Sequence, residues 1–168
     1  MLISNLGRTR TELLNSFSDL TDEQINRTPG ENSWGIAQVL HHLYTSEKET
    51  AVFILNAVQT KSVKVADKDL SLIVDGCNTV KAPHKPSTDF FTKDALIQLL
   101  EESRFLHLQS VFNETHERIL AEKSAEHPTF GIISLKNFID SIWLHDQHHI
   151  DQIYRIRQSL VSVPDAEQ

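Results

Sequence analysis

Leu2, Leu6, Leu13, Leu14, Phe17 and Leu20 recur at helical spacing and lay one apolar stripe along a first amphipathic helix. Thr21, with Gln24 three residues on, reads as a capping box for a short helical turn. Pro29-Gly30 breaks the chain, and Asn32 and Ser33 offer N-cap side chains for a second helix. That helix should run from about Trp34 to about Val58, through Ala37, Leu40, Leu43, Tyr44, Ala51, Ile54 and Leu55. From Gln59 to Thr88 the periodicity dissolves into lysines, aspartates, Gly76, Pro83 and Pro86, around one apolar patch of Leu70, Leu72, Ile73 and Val74. Thr92 or Ser87 opens a third helix to about Lys123, on the stripe Leu96, Leu99, Leu100, Ser103, Leu106, Val111, Phe112 and Ile119. His127-Pro128 and Gly131 form the next break, and Ser134 caps a fourth helix reaching about Leu160. The pattern predicts an all-α fold: a four-helix bundle over residues 1–160, with residues 161–168 as a tail. The long connection between helices 2 and 3 allows those two to run parallel.

Composition sharpens this. Five glycines and five prolines in 168 residues are too few for a sandwich or barrel with frequent turns. The single cysteine, Cys77, excludes an intrachain disulfide and a cysteine-rich zinc site, and suits a reducing cytoplasm. No signal-like start and no long apolar run appear, so the expected setting is cytoplasmic and away from membranes. The net charge of −7, without a basic block, argues against nucleic acid as a partner.

The chemistry concentrates in the last helix. On a wheel set by Leu135, Phe138, Ile139, Ile142, Ile153 and Ile156, His149 falls on the core stripe. His145 takes the apolar place one heptad after Phe138, and His148 lies to the side. Two imidazoles four residues apart point the same way and can reach one cation, which satisfies nitrogens that are costly to bury bare. The plain alternative is a pair of core-edge histidines bonded to backbone or water. A third ligand would decide between them. The second helix offers His41 and His42, and periodicity does not choose between them. Asp146 and Asp151 are candidates for an outer hydrogen-bonding role, though both are expected to be solvated.

Three segments, in this order, resemble the DinB/YfiT-like superfamily of metal-binding bundles. They are Leu20-Thr21-Asp22-Glu23-Gln24 through Pro29 and Trp34 to His41-His42-Leu43-Tyr44-Thr45-Ser46-Glu47, then His127-Pro128-Thr129-Phe130-Gly131, then His145-Asp146-Gln147-His148-His149-Ile150-Asp151-Gln152-Ile153. The resemblance implies an up-down-down-up bundle, and ligands at His42, His145 and His149. It also implies pairing into a homodimer. Glu47 stands where some relatives carry another histidine, and its role stays open.

Three imidazoles with an open coordination position describe a catalytic rather than a structural site. Imidazole ligands fit Zn, Ni, Fe or Mn. The resemblance implies either a thiol S-transferase, with bacillithiol, mycothiol or glutathione as cosubstrate, or a metal-dependent hydrolase. Both act on a small-molecule substrate, and no catalytic residue is assigned beyond the ligands. A stress-linked metal-binding bundle without catalysis is the alternative. Trp34 and Trp143 are expected in the core, Tyr44 and Tyr154 in the core or at the surface. His84, His107, His116 and His127 are expected at the surface or in loops. His41 and His148 are candidates for contacts to the ligands, and Gln152 is expected to bond between helices.

Overall fold

The computed structural model describes residues 2–74 and 85–161. Cys77, His84, Gly76, Pro83 and the tail from residue 162 lie outside the described residues. Helix α1 spans Leu2–Asn15 and the short α2 spans Asp22–Asn26, opened by the Thr21–Gln24 capping box. Helix α3 spans Ile36–Val58. Its N-cap is Gly35 rather than Asn32 or Ser33, because Asn32 adopts φ 64° inside the preceding turn. The Gly35 N–H donates to the Gln38 side chain at 3.0 Å. A Cβ at Gly35 would lie 2.8 Å from the Arg27 carbonyl oxygen, so the chain can enter α3 this closely only with glycine.

The third rod is interrupted, which periodicity did not predict. Thr92 caps α4, Lys93–Glu101, by accepting from the Ala95 N–H at 3.2 Å. A π-helical turn, Glu102–Leu108, follows, then α5, Gln109–Glu114, and α6, Glu117–Glu122. The next break is an antiparallel hairpin of β1, Ser124–His127, and β2, Gly131–Ser134, pairing Ser124 with Ser134 and His127 with Gly131. The turn is held by the His127 ring, whose Nδ1 accepts from the Thr129 N–H at 3.1 Å, and by Gly131 at φ 65°. Ser134 then opens α7, Leu135–Val161, its Oγ accepting from the Asn137 N–H at 3.1 Å.

Two apolar clusters fill the bundle and fix the helix directions. One joins Leu6, the end of α3 from Ala51, Leu108, Val111 and the start of α7 up to Ile142. The other joins Leu13, Phe17, the start of α3 up to Leu43, Leu96, Leu100 and the later part of α7 from Ile150. Thus α1 and α7 run one way while α3 and the α4–α5 rod run the other, an up-down-down-up four-helix bundle. The crossover after α3 is strapped to α7: the Lys68 N–H donates to the Asn137 side chain at 2.9 Å, and Leu70 is buried.

Between the two clusters lies a layer of buried charge. Glu47 accepts from Arg10 at 2.6 Å, from Arg104 Nη2 at 2.9 Å and from the Ser103 hydroxyl at 3.2 Å. Arg104 also donates to Asp146 at 3.2 Å and to the Leu6 carbonyl at 2.7 Å. Arg10 donates to the Leu100 carbonyl at 3.1 Å and lies 4.0 Å from Asp146. Two guanidiniums and two carboxylates therefore balance, with one member from α1, α3, the π turn and α7. Burial pushes the Asp146 carboxyl up to about 6, against the pull of the Arg10 guanidinium.

Removing one partner of such a set leaves a buried charge uncompensated, at a cost of about 3–5 kcal/mol. Glu47→Ala should therefore lower the urea midpoint sharply. Glu122→Ala, which removes only the exposed pair with Arg118, should leave it unchanged. Equal midpoints for the two variants would contradict the assignment of Glu47 to the layer.

Candidate metal centre

His42 projects from α3, one turn before the charged layer, and His145 and His149 project from α7 on either side of Asp146. The helices are antiparallel there, so three side chains distant in sequence meet. The His42 and His145 Nε2 atoms are 3.2 Å apart, and those of His145 and His149 are 3.0 Å apart. One nitrogen from each ring lies within 4.8 Å of the other two, the only such metal-capable cluster among the described residues. The rings meet edge to face, with centroids 4.5–5.0 Å apart.

This arrangement suits a cation better than it suits hydrogen bonding. An imidazole nitrogen has one in-plane site, holding either a proton or a lone pair. His145 Nε2 has two close nitrogen neighbours and cannot serve both with a linear bond. A cation placed among the three rings accepts all three lone pairs at once. The rings are also held neutral. Burial lowers His42 from 6.5 to about 4 and His149 to about 3, and pushes His145 well down. At neutral pH their lone pairs are free for a cation without proton displacement. The three residues thus fit one divalent ion and leave further coordination positions to a small ligand.

Around the rings, His149 Nδ1 bonds the Gln152 Oε1 at 2.6 Å within α7, not between helices as its sequence position suggested. Asp146 is buried in the charged layer instead of being solvated, because α7 turns it toward Arg104. Asp151 is exposed. His148 lies to the side, its Nδ1 3.3 Å from the Val74 carbonyl of the crossover. His41 points away from the cluster, its ring 5.4 Å from that of Phe91. Trp34 is half-buried with its ring 5.3 Å from that of His42, while Trp143 packs on the core and donates to Asp140. Tyr44 donates to Glu102 and Tyr154 is exposed. His116 is exposed, whereas His107 and His127 are half-buried, the latter in the hairpin.

A cleft of about 130 Å³ opens beside His42, lined by His41, Thr45, Ser46, Glu49, Lys85 and Pro86 as well. A larger depression on the π turn, of about 450 Å³, contains none of the three histidines.

The family model of the DinB superfamily matches residues 5–153. The chain belongs to the DinB superfamily. Among the relatives of this DinB chain is YuaE of Bacillus subtilis (strain 168), 26% identical over 164 residues, covering 94% of this chain and 98% of that one. Another, in Oceanobacillus iheyensis, is named "Putative metal-dependent hydrolase OB0413" and is 28% identical over 138 residues, covering 82% and 73%. Two solved structures share the fold at a TM-score of 0.62. YfiT of Bacillus subtilis, described as a probable metal-dependent hydrolase with an unusual four-helix bundle topology, is 19% identical and covers 95% of this chain and 86% of its own. The four-helix bundle protein TT2238 is 15% identical and covers 92% and 96%. Among the described residues of this DinB chain, no helix is long and apolar enough to cross a membrane.

The depressed imidazoles set a pH dependence. An unfolded histidine takes a proton near 6.5, while folded His42 and His149 resist it down to about 4 and 3. The unfolded state binds more protons at these rings inside that window, so their contribution to stability is full above pH 6.5 and falls as pH drops toward 3, offset in part by Asp146, whose raised carboxyl takes up one proton in the folded state. In chelator, the urea midpoint should decline steadily from pH 7 to pH 4, with His42 alone contributing up to about 3 kcal/mol. His42→Phe should flatten part of that slope. A flat wild-type profile would contradict the burial of neutral rings.

Proposed function

We propose that this DinB-superfamily protein is a divalent-metal-dependent enzyme acting on a small molecule, with His42, His145 and His149 as the protein ligands. The convergence of three neutral Nε2 atoms beside a small cleft carries the reading. Zn, Ni, Fe and Mn all suit such ligands. A cation bound there supplies Lewis acidity, which makes water or a low-molecular-weight thiol nucleophilic at neutral pH.

Of the two chemistries, we place thiol transfer first. The buried carboxylates next to the ligands, Glu47 and Asp146, are paired with Arg10 and Arg104 rather than with the imidazoles. Thiolate attack on an electrophile makes the smaller demand for proton transfer, whereas amide hydrolysis needs a proton delivered to the leaving nitrogen. On this reading the sulfur end of a thiol such as bacillithiol, mycothiol or glutathione enters by the cleft beside His42. Metal-dependent hydrolysis is the second reading, supported by the names of relatives.

Protein purified without a histidine tag should carry about one metal per chain, and His145→Ala should lose it. The metal-loaded protein should conjugate one of the three thiols to a model electrophile, with a loss of at least about 100-fold on chelation or in His145→Ala. Ester or amide turnover abolished by chelators, with no conjugation, would select hydrolysis instead. Bound metal with neither activity, and a cobalt spectrum unmoved by thiols, would leave a non-catalytic binding module.

A further inference from the structure

His149 has its outward nitrogen held by a side chain of its own helix. His149, only 6% exposed, has its Nδ1 2.6 Å from the Gln152 Oε1, one turn further along the same helix. Its other nitrogen, Nε2, faces His145 Nε2 at 3.0 Å. A neutral imidazole carries one proton, and the nitrogen that holds it decides which side of the ring can accept a cation. The Gln152 carbonyl oxygen can only accept, so the proton must sit on Nδ1 and the Nε2 lone pair must face the other two rings. Were the amide reversed, its NH₂ would donate to Nδ1. The proton would then move to Nε2 and point into the space where a cation belongs.

We propose that Gln152 is a positioning residue that locks His149 in the Nδ1–H tautomer and so keeps its Nε2 open toward a cation shared with His42 and His145. The proposal rests on the metal-centre reading above. It also accounts for an amide rather than a carboxylate at this place. A neutral acceptor fixes the tautomer without adding negative charge to the ligand set, so a cation held by three neutral rings keeps its full charge for polarising a bound ligand. A glutamate would fix the same tautomer and hold the cation more tightly.

Two measurements test this, one of them independent of metal. In the metal-free protein at pH 7.5, long-range ¹H–¹⁵N spectra should show His149 as the Nδ1–H tautomer. In Gln152→Leu the Nε2–H form should appear, and in Gln152→Glu the Nδ1–H form should return. Cobalt affinity, followed by its visible spectrum, should fall about 10–100-fold in Gln152→Leu and equal or exceed wild type in Gln152→Glu. A purely packing role would move neither the tautomer nor its recovery in the glutamate variant. An unchanged tautomer and unchanged cobalt affinity in Gln152→Leu, with the fold intact by circular dichroism, would overturn the proposal. If Gln152→Leu does not fold, a wild-type or Gln152→Glu spectrum showing Nε2–H overturns it equally. Should the tautomer follow the pattern while wild type binds no cobalt, the metal reading falls and the tautomer lock stands.

Discussion

Four charges buried halfway along the bundle set the register of everything around them. Arg10, Glu47, Arg104 and Asp146 come from four different segments, and none can leave without stranding another in an apolar interior. Apolar side chains tolerate sliding by a fraction of a turn, whereas short ion pairs between defined atoms do not. The layer therefore fixes how far α3 has advanced along α7. His42 lies five residues before Glu47, and His145 is the immediate neighbour of Asp146. The meeting of the imidazoles follows from that register. The π turn contributes too, since it carries Ser103 and Arg104 to Glu47.

Much of this was legible in the chain. The stripes on α1, α3, the α4–α5 rod and α7 gave four rods with one long crossover, and most of their positions lie in the two observed cores; Leu106, expected on the third stripe, is 62% exposed, because the π turn shifts the helical phase there. The pairing of His145 with His149 came from helical spacing alone. The choice of His42 over His41 did not, because both sit on the flank of the α3 stripe. Resemblance pointed to His42, and the structure turns that ring inward while His41 faces Phe91.

What escaped has physical reasons. Charged residues read as solvated by default, so Asp146 was placed in water. Yet each member of the layer has an apolar residue four positions before it and four after: Leu6 and Leu14, Leu43 and Ala51, Leu100 and Leu108, Ile142 and Ile150. A charge interrupting an apolar stripe in that way is the signal, and four of opposite signs form a balanced set. The π turn has no comparable mark, because one extra residue in a helix depends on tertiary contacts rather than on local propensity. The hairpin strands, four residues each, are too short to show alternation, and only their turn residues announced a break.

The central claim is that three imidazoles share one cation at the place where their Nε2 atoms converge. Anomalous diffraction from crystals of the protein loaded with cobalt or zinc tests it most directly. The account predicts a single strong peak within about 2.0–2.2 Å of the Nε2 atoms of His42, His145 and His149, with at least one coordination position facing the cleft beside Ser46. A peak elsewhere on the chain, or none at the three rings under saturating metal, would contradict it.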